Sequence, residues 1–120
     1  MIALASNTSW LLDADKGEVR MVEYDGTLEM LRELLPKMDL FDTIRLDRNN
    51  IIFVDDEGLL KPFPQNGFGI CYKDKAPFPV VGSCLITGDD GCGGHCAVSF
   101  DPSDIQITKI SFHGEEEKEG

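Results

Sequence analysis

Turn residues break this chain so often that its apolar runs are too short for anything but strands. "DKG" at 15–17, "DRNN" at 47–50, "DDEG" at 55–58 and "GDDGCGG" at 88–94 separate segments of mixed or alternating hydrophobicity. Runs of that length, bounded by Asp, Asn and Gly, read as strands joined by tight turns. Trp10 and Leu12 alternate on one side of the first. In the next, Val19, Met21 and Glu23 alternate with Arg20, Val22 and Tyr24, and "DKG" between the two is a hairpin signal. "FDTIRLDRNNIIFVDDEGLL" gives two more strands across "DRNN". Ile51 to Val54 form a continuous apolar run, as in a strand covered on both faces. "LKPFPQNGFG" is rich in Pro, Asn and Gly and reads mostly as loop. "VVGSCLITG" reads as one strand, with "HCAVSF" as its hairpin partner. "DPSDIQITKISF" opens either as a short helix, with Pro102 in its first turn, or as strand pieces through Ile105, Ile107, Ile110 and Phe112.

One segment has a different period. In "DGTLEMLRELLPKM", Leu28, Leu31, Leu34 and Leu35 recur at helical spacing. Thr27 is placed to cap the helix, Glu29 sits favourably in its first turn, and Pro36 stops it. The leucine stripe reads as core. Short strands at hairpin spacing with one good helix define an α+β class. The expectation is a single domain over 1–112, an antiparallel sheet packed against one main helix, with a Cys/His-rich, metal-stapled hairpin loop. Residues 113–120, "HGEEEKEG", read as an acidic disordered tail.

The 120 residues fit one domain, and 42% hydrophobic content suffices for a single core. A domain of this size buries only about two-thirds of its unfolded surface, so a metal or a partner could contribute to its stability. The absence of a run of about twenty apolar residues argues against a transmembrane helix. The first residues lack a basic region and reach acid by Asp13, which argues against a signal peptide. The expected location is the cytoplasm of a host cell, with cysteines reduced. Formal net charge is −11. That excludes non-specific phosphate binding, which needs clustered Lys and Arg, and suits a basic partner such as a nucleic-acid channel on another protein.

Four pieces occur in a definite order: the Leu28, Leu31, Leu34 helix, "IIFVDDEGLLK" at 51–61, Asn66 in its loop, and "GSCLITGDD" at 82–90. In this order the chain resembles a family of small uncharacterised proteins encoded by phages, prophages and plasmids, the domain-of-unknown-function family numbered thirty-eight forty-six. The resemblance spans residues 18–105. It implies a mobile-element setting and an α+β fold, and it implies no known catalytic residue. Some small acidic phage proteins of this general kind are anti-CRISPR proteins, which makes that class a candidate. The cysteine–histidine cluster is not part of the family pattern.

That cluster is the chemical feature of the sequence. All four cysteines, Cys71, Cys84, Cys92 and Cys96, lie within one stretch, and His95 adjoins Cys96. In "CGGH", two glycines separate Cys92 from His95, the spacing of a metal-binding knuckle. Thiolate plus imidazole is a zinc-type donor set, and structural zinc takes four such ligands. Cys92, Cys96, His95, Cys71 and Cys84 are therefore the candidate ligands of a structural Zn2+. The spacing C-x12-C-x7-C-x3-C matches no familiar ribbon. Cys84 stands four residues before the loop, roughly 13 Å of extended chain from its tip. Cys71 and Cys84 read equally as core residues. A Cys–His nucleophile oriented by Asp89 or Asp90 is disfavoured on a glycine-rich tip. The same two carboxylates are a weak calcium signal without the usual loop pattern. His113 reads as solvated, and Asp55 to Glu57 as a strand-end turn. No residue is assigned to catalysis.

Two functional expectations follow. The first is an interaction protein: a small acidic phage-type inhibitor binding a host defence protein, with a type II CRISPR-Cas effector nuclease as the best single target. Contact with nucleic acid or membrane is not expected. Its interface acids would lie at Asp13 to Glu33 and Asp55 to Glu57. The second is a nucleotide-signal sponge or small enzyme using "KPFPQNGFG" as a pocket wall, with Lys61, Lys73 and Lys75 as local cations. Against it, no phosphate-binding glycine motif opens a helix.

Overall fold

A computed structural model describes residues 8–38, 40–57, 65–89 and 95–112, with backbone alone at 95. The elements run β1 (Thr8–Asp13), β2 (Glu18–Glu23), α1 (Leu28–Leu34), β3 (Phe41–Asp47), β4 (Asn50–Asp55), β5 (Gln65–Tyr72), β6 (Phe78–Val81), β7 (Cys84–Asp89), β8 (His95–Cys96) and β9 (Ile105–Phe112). A 3-10 turn at Pro102–Asp104, capped by the Asp101 side chain on the Ser103 amide, leads into β9. Both readings of that segment thus hold, in succession.

The strands form two antiparallel sheets rather than the single one expected. The larger has the order β2-β1-β7-β4-β3, with β8 added to the far end of β7. The smaller has the order β6-β5-β9. The reason is Gly82. "VVGSCLITG" does not run as one strand: the chain turns at Gly82, whose φ is +84°, and passes from β6 in the small sheet to β7 in the large one. "QNGFG" is likewise strand, not loop. Its glycines leave room on the outer face of β5 for side chains of β9. A Cβ on Gly67 would stand 2.7 Å from the Phe112 ring, and one on Gly69 2.9 Å from Ile110 Cδ1.

β7 is paired on both edges and buried on both faces. Its alternation assigns side chains to two cores. Cys84 and Ile86 face the small sheet with Leu12, Ile52, Phe68, Ile70, Tyr72, Val80 and Ile105. Leu85 faces the helix with Leu11, Leu31, Leu35, Met38 and Tyr24. The layers are small sheet, large sheet, helix. Thr27 caps α1 as expected, its hydroxyl accepting from the Met30 amide at 3.1 Å. Leu28 is an exception to the leucine stripe. It is 55% exposed, because it lies in the first turn beyond the sheet, and Met38 past the helix end fills the core instead. Of the run Ile51 to Val54, Ile52 and Val54 pack toward the small sheet and Phe53 toward the helix, but only Ile52 is fully buried and Ile51 joins neither core. Among the described residues no helix is long and apolar enough to cross a membrane. The tip at 90–94 and the tail at 113–120 lie outside the described residues.

After β8 the chain does not continue as the expected hairpin strand. Residues 97–99 cross over the end of β7: the Val98 amide donates to Thr8 O at 2.9 Å and the Ser99 amide to Asn50 Oδ1 at 2.9 Å. Gly88 lies beneath this crossing. A Cβ there would stand 2.2 Å from Ala97 O, so only glycine fits. Gly82 has open space around it but a left-handed φ. Gly88→Ala should therefore cost about 1–3 kcal/mol or more through forced displacement of the crossing. Gly82→Ala should cost about 1–2 kcal/mol through backbone strain alone. Urea denaturation of both variants measures this, with the larger fall in midpoint expected for Gly88→Ala.

Candidate functional site

The sandwich has two chemically different ends. At the first, β3 ends in a bulge between Arg45 and Asp47. The extra residue puts both Leu46 and Asp47 toward the small sheet, where Leu46 joins the core and Asp47 meets polar partners. Tyr72, 1% exposed, donates its hydroxyl to Asp47 Oδ2 at 2.5 Å. Asn50, also 1% exposed, donates to Asp47 Oδ1 at 3.0 Å and to Ser99 Oγ at 3.2 Å. The Asn49 amide adds a bond to Asp47 Oδ1 at 2.8 Å. Partial burial works against the Asp47 carboxylate, but the Tyr72 hydroxyl and the two asparagines outweigh it and hold its pKa below the ordinary value. Burial first, and then the Asp47 charge, push the Tyr72 hydroxyl up to about 12. Trp10 and Phe100 close the region with an edge-to-face contact at 5.0 Å between centroids. The network ties β3, β4, β5 and the 97–99 crossing together, and every buried polar side-chain atom among the described residues has a partner. It is a lock between the sheets rather than a reactive group.

The lysines of the phosphate reading are absorbed here. Lys75 Nζ donates to Leu46 O at 2.8 Å. Lys73 and Lys75 stand 5.2 and 6.0 Å from the Tyr72 ring centroid. Lys61 lies outside the described residues.

Of the candidate metal ligands, Cys71 and Cys84 do not converge. Cys84 is fully buried between the sheets, and burial pushes its thiol up to about 12. It packs as a core residue among Leu12, Ile52 and Phe68. Cys71 pairs with Gln106 on the other sheet and lies on the outer face, its thiol 3.7 Å from Lys75 O. The two face away from each other across β5. Cys96 pairs with Gly88 and His95 with Asp89, at the same end as the Asp47 network. Cys92, Asp90 and His113 lie outside the described residues. Among the described residues no group of three His, Cys, Asp or Glu side chains is gathered to hold a metal. Asp89 is engaged by Arg45 at 2.7 Å.

At the opposite end lies a cleft of about 490 Å3. The end of α1, the β1–β2 turn and the Gly82 corner meet there. Its floor is Leu11, Leu34, Leu35 and Met38, and its rim is Asp13, Asp15, Glu33 and Asp55 against Arg20 and Lys37. Arg20 pairs with Asp13 at 3.2 Å, and Lys37 with Asp15 at 2.9 Å. Four carboxylates against two cations make a poor host for a phosphate. Gln65 and Asn66, from the segment read as a pocket wall, line it, but the lining as a whole spans seventy-two positions, Leu11 to Ser83, and no local pattern joins them.

The Asp47–Tyr72 pair makes a two-sided pH prediction. The Asp47 pKa is lowered from 3.8, so its stabilisation is present above that value and is lost as pH falls through the lower native value. The Tyr72 pKa is raised from 10.0, so its stabilisation is complete below pH 10.0 and is lost as pH rises toward about 12. Tyr72→Phe should cost about 1.5–3 kcal/mol at neutral pH, the range for a hydrogen bond to a charged group. It should also reduce the alkaline loss, to which Cys84 and Tyr24 contribute as well, and Asp47→Asn should reduce the acid loss that Asp47 shares with Asp13 and Asp101. Urea midpoints across the pH range read both. The chain matches no family model, no curated protein and no solved structure, so the chemistry of these two ends is its own guide to function.

Proposed function

We propose that this chain is an acidic interaction protein that docks on a positively charged surface of another protein and blocks it. The observation that carries the reading is where the charge sits. Glu18, Glu23, Asp25, Glu29 and Glu33 follow one another from β2 across the connecting loop to α1, and all are exposed. They lie within a chain of net charge −11. Exposed Arg20 and Arg32 lie among them, and Glu23 points to the opposite face of β2 from Glu18, so the run is net acidic rather than like-signed; its excess of negative charge steers a basic partner onto it. The mobile-element setting implied by the resemblance adds a class of partner, a host defence protein. A type II CRISPR-Cas nuclease, whose guide and target lie in a basic channel, is our specific candidate. The acid-rimmed cleft favours this reading over a nucleotide sponge, since phosphate would meet carboxylates on most of the rim.

A structural zinc belongs to the proposal in reduced form. Cys92 would hold it together with either His95 or Cys96, which alternate on β8 and point to opposite faces, with Cys84 left in the core and Cys71 on the outer face. Elemental analysis of wild type, Cys92→Ser and Cys84→Ala separates the cases. Zinc should be lost only in Cys92→Ser, and metal-free wild type prepared without chelator would end the metal reading.

The docking proposal is tested by capture of the nuclease and by a DNA-cleavage assay. Inhibition at micromolar protein is expected, weakening with added salt. It should fall about tenfold in a Glu29→Lys, Glu33→Lys double variant that melts like wild type. Neither capture nor inhibition at that concentration would sink it.

A further inference from the structure

The two sheets end in four lateral edges, and three of them are guarded. β2 carries Glu18, Arg20 and Glu23 in six residues. β3 is bulged near its end and carries Asp42, Arg45 and Asp47. β6 is four residues long and contains Pro79. Short length, charge, proline and bulges are the ordinary means by which a sheet edge avoids pairing with another chain.

β9 has none of these. It is eight residues long, and its register with β5 runs unbroken from Gln65↔Phe112 to Tyr72↔Ile105. Its one charged residue, Lys109, does not guard the edge. It pairs with Phe68 on the inner face, and its stem lies against the β1–β2 turn, where a Cβ on Gly17 would stand 3.2 Å from Lys109 Cδ. Among the described residues no strand pairs with the outer edge of β9.

The large sheet has an uncovered strip beside it. Val19 pairs with Leu12 and Met21 with Trp10, so both point toward the small sheet. Yet Val19 is 44% and Met21 68% exposed, because three strands do not span a sheet five strands wide. The Lys109 stem beside Gly17 brings β9 up to the β1–β2 turn, where β2 begins. One more strand beside β9 would therefore lie over Val19, Met21 and Glu23, which share a row.

We propose that the open edge of β9 is a docking site for an extended segment of a partner protein, which adds as the fourth strand of the small sheet and covers Val19 and Met21. The occupant's chemistry follows from what it must meet. The backbone of β9 requires an extended strand, and Val19 and Met21 require apolar side chains at alternate positions. Glu23, at the end of the row, requires a lysine or arginine. Backbone pairing supplies affinity in such complexes and the alternate side chains supply selectivity. A second copy of this chain is a poorer occupant, since each copy brings a net charge of −11. The site gives the basic partner of the docking proposal a specific point of attachment and rests on that proposal for its biological setting.

The test uses the full chain and a synthetic peptide alternating valine with threonine and ending in two lysines, beside a control ending in two glutamates. Amide hydrogen exchange should show new protection confined to 105–112 with the lysine peptide. Its binding, measured by fluorescence anisotropy, should weaken about tenfold in Met21→Glu and in Val19→Glu. Both positions are exposed, so these variants keep the fold. Thr108→Lys, on the outer face of β9, serves as an edge variant that does not touch the strip, and it should weaken binding as well. Protection elsewhere, no binding of the lysine peptide, or binding unchanged in the strip variants would overturn the proposal. So would a wild-type dimer with protection on β9. Nuclease capture that survives in Met21→Glu would remove the edge site and leave the docking function standing. Peptide binding without capture would do the reverse.

Discussion

The whole arrangement hangs on β7. Its residues Cys84 to Thr87 are completely shielded from solvent, and its two edges are taken by β1 and β4. A strand in that position sends alternate side chains into two separate cores, and a slip of one residue would exchange them. The exchange would place Thr87 among the apolar residues between the sheets and Ile86 against Ser9. In the native register Thr87 instead accepts from the Ser9 hydroxyl at 2.8 Å. One buried polar pair and three apolar residues thus fix the register of the central strand.

Much of this was legible in local sequence, and the reasons it stops are local too. The β1–β2 and β3–β4 hairpins declare themselves through "DKG" and "DRNN", because a tight turn is set by neighbours in the chain. The helix declares itself through Thr27 and Pro36. What local pattern could not say is which sheet a strand enters. Val81 and Cys84 sit three positions apart in one apolar run, and a single left-handed glycine sends them to different layers. Glycine in "QNGFG" resembled a loop because the side chains that fill its place, Ile110 and Phe112, lie forty residues away. The same limit governed the site. The cysteines cluster in sequence, yet strand alternation and sheet membership separate Cys71 from Cys84. The cleft residues are scattered in sequence, yet the fold gathers them.

The two ends divide the labour of the domain. The Asp47 end is satisfied internally: its carboxylate is spent on Tyr72 and the asparagines, its lysines on a carbonyl and a ring, its aromatic residues on each other. The helix end is held instead by ion pairs such as Asp15–Lys37 that are mostly exposed and contribute little. Rigidity is concentrated where the sheets are locked and adaptable charge where they are not.

The pairing of β1 with β7 has a consequence for how the chain is made. Leu12 contacts Cys84 across 84 − 12 = 72 positions. At translation rates of about 5–20 residues per second, the β1–β2 hairpin waits roughly 4–14 s for its central strand to be synthesised. During that interval Trp10 and Leu12 have no sheet to pack against, and the inner edge of β1 is unpaired. The charged residues of β2 cover only the other side of the hairpin. A nascent chain in this state is most vulnerable to neighbours on the same polysome. The domain cannot close until the residues that follow Gly82 have been synthesised.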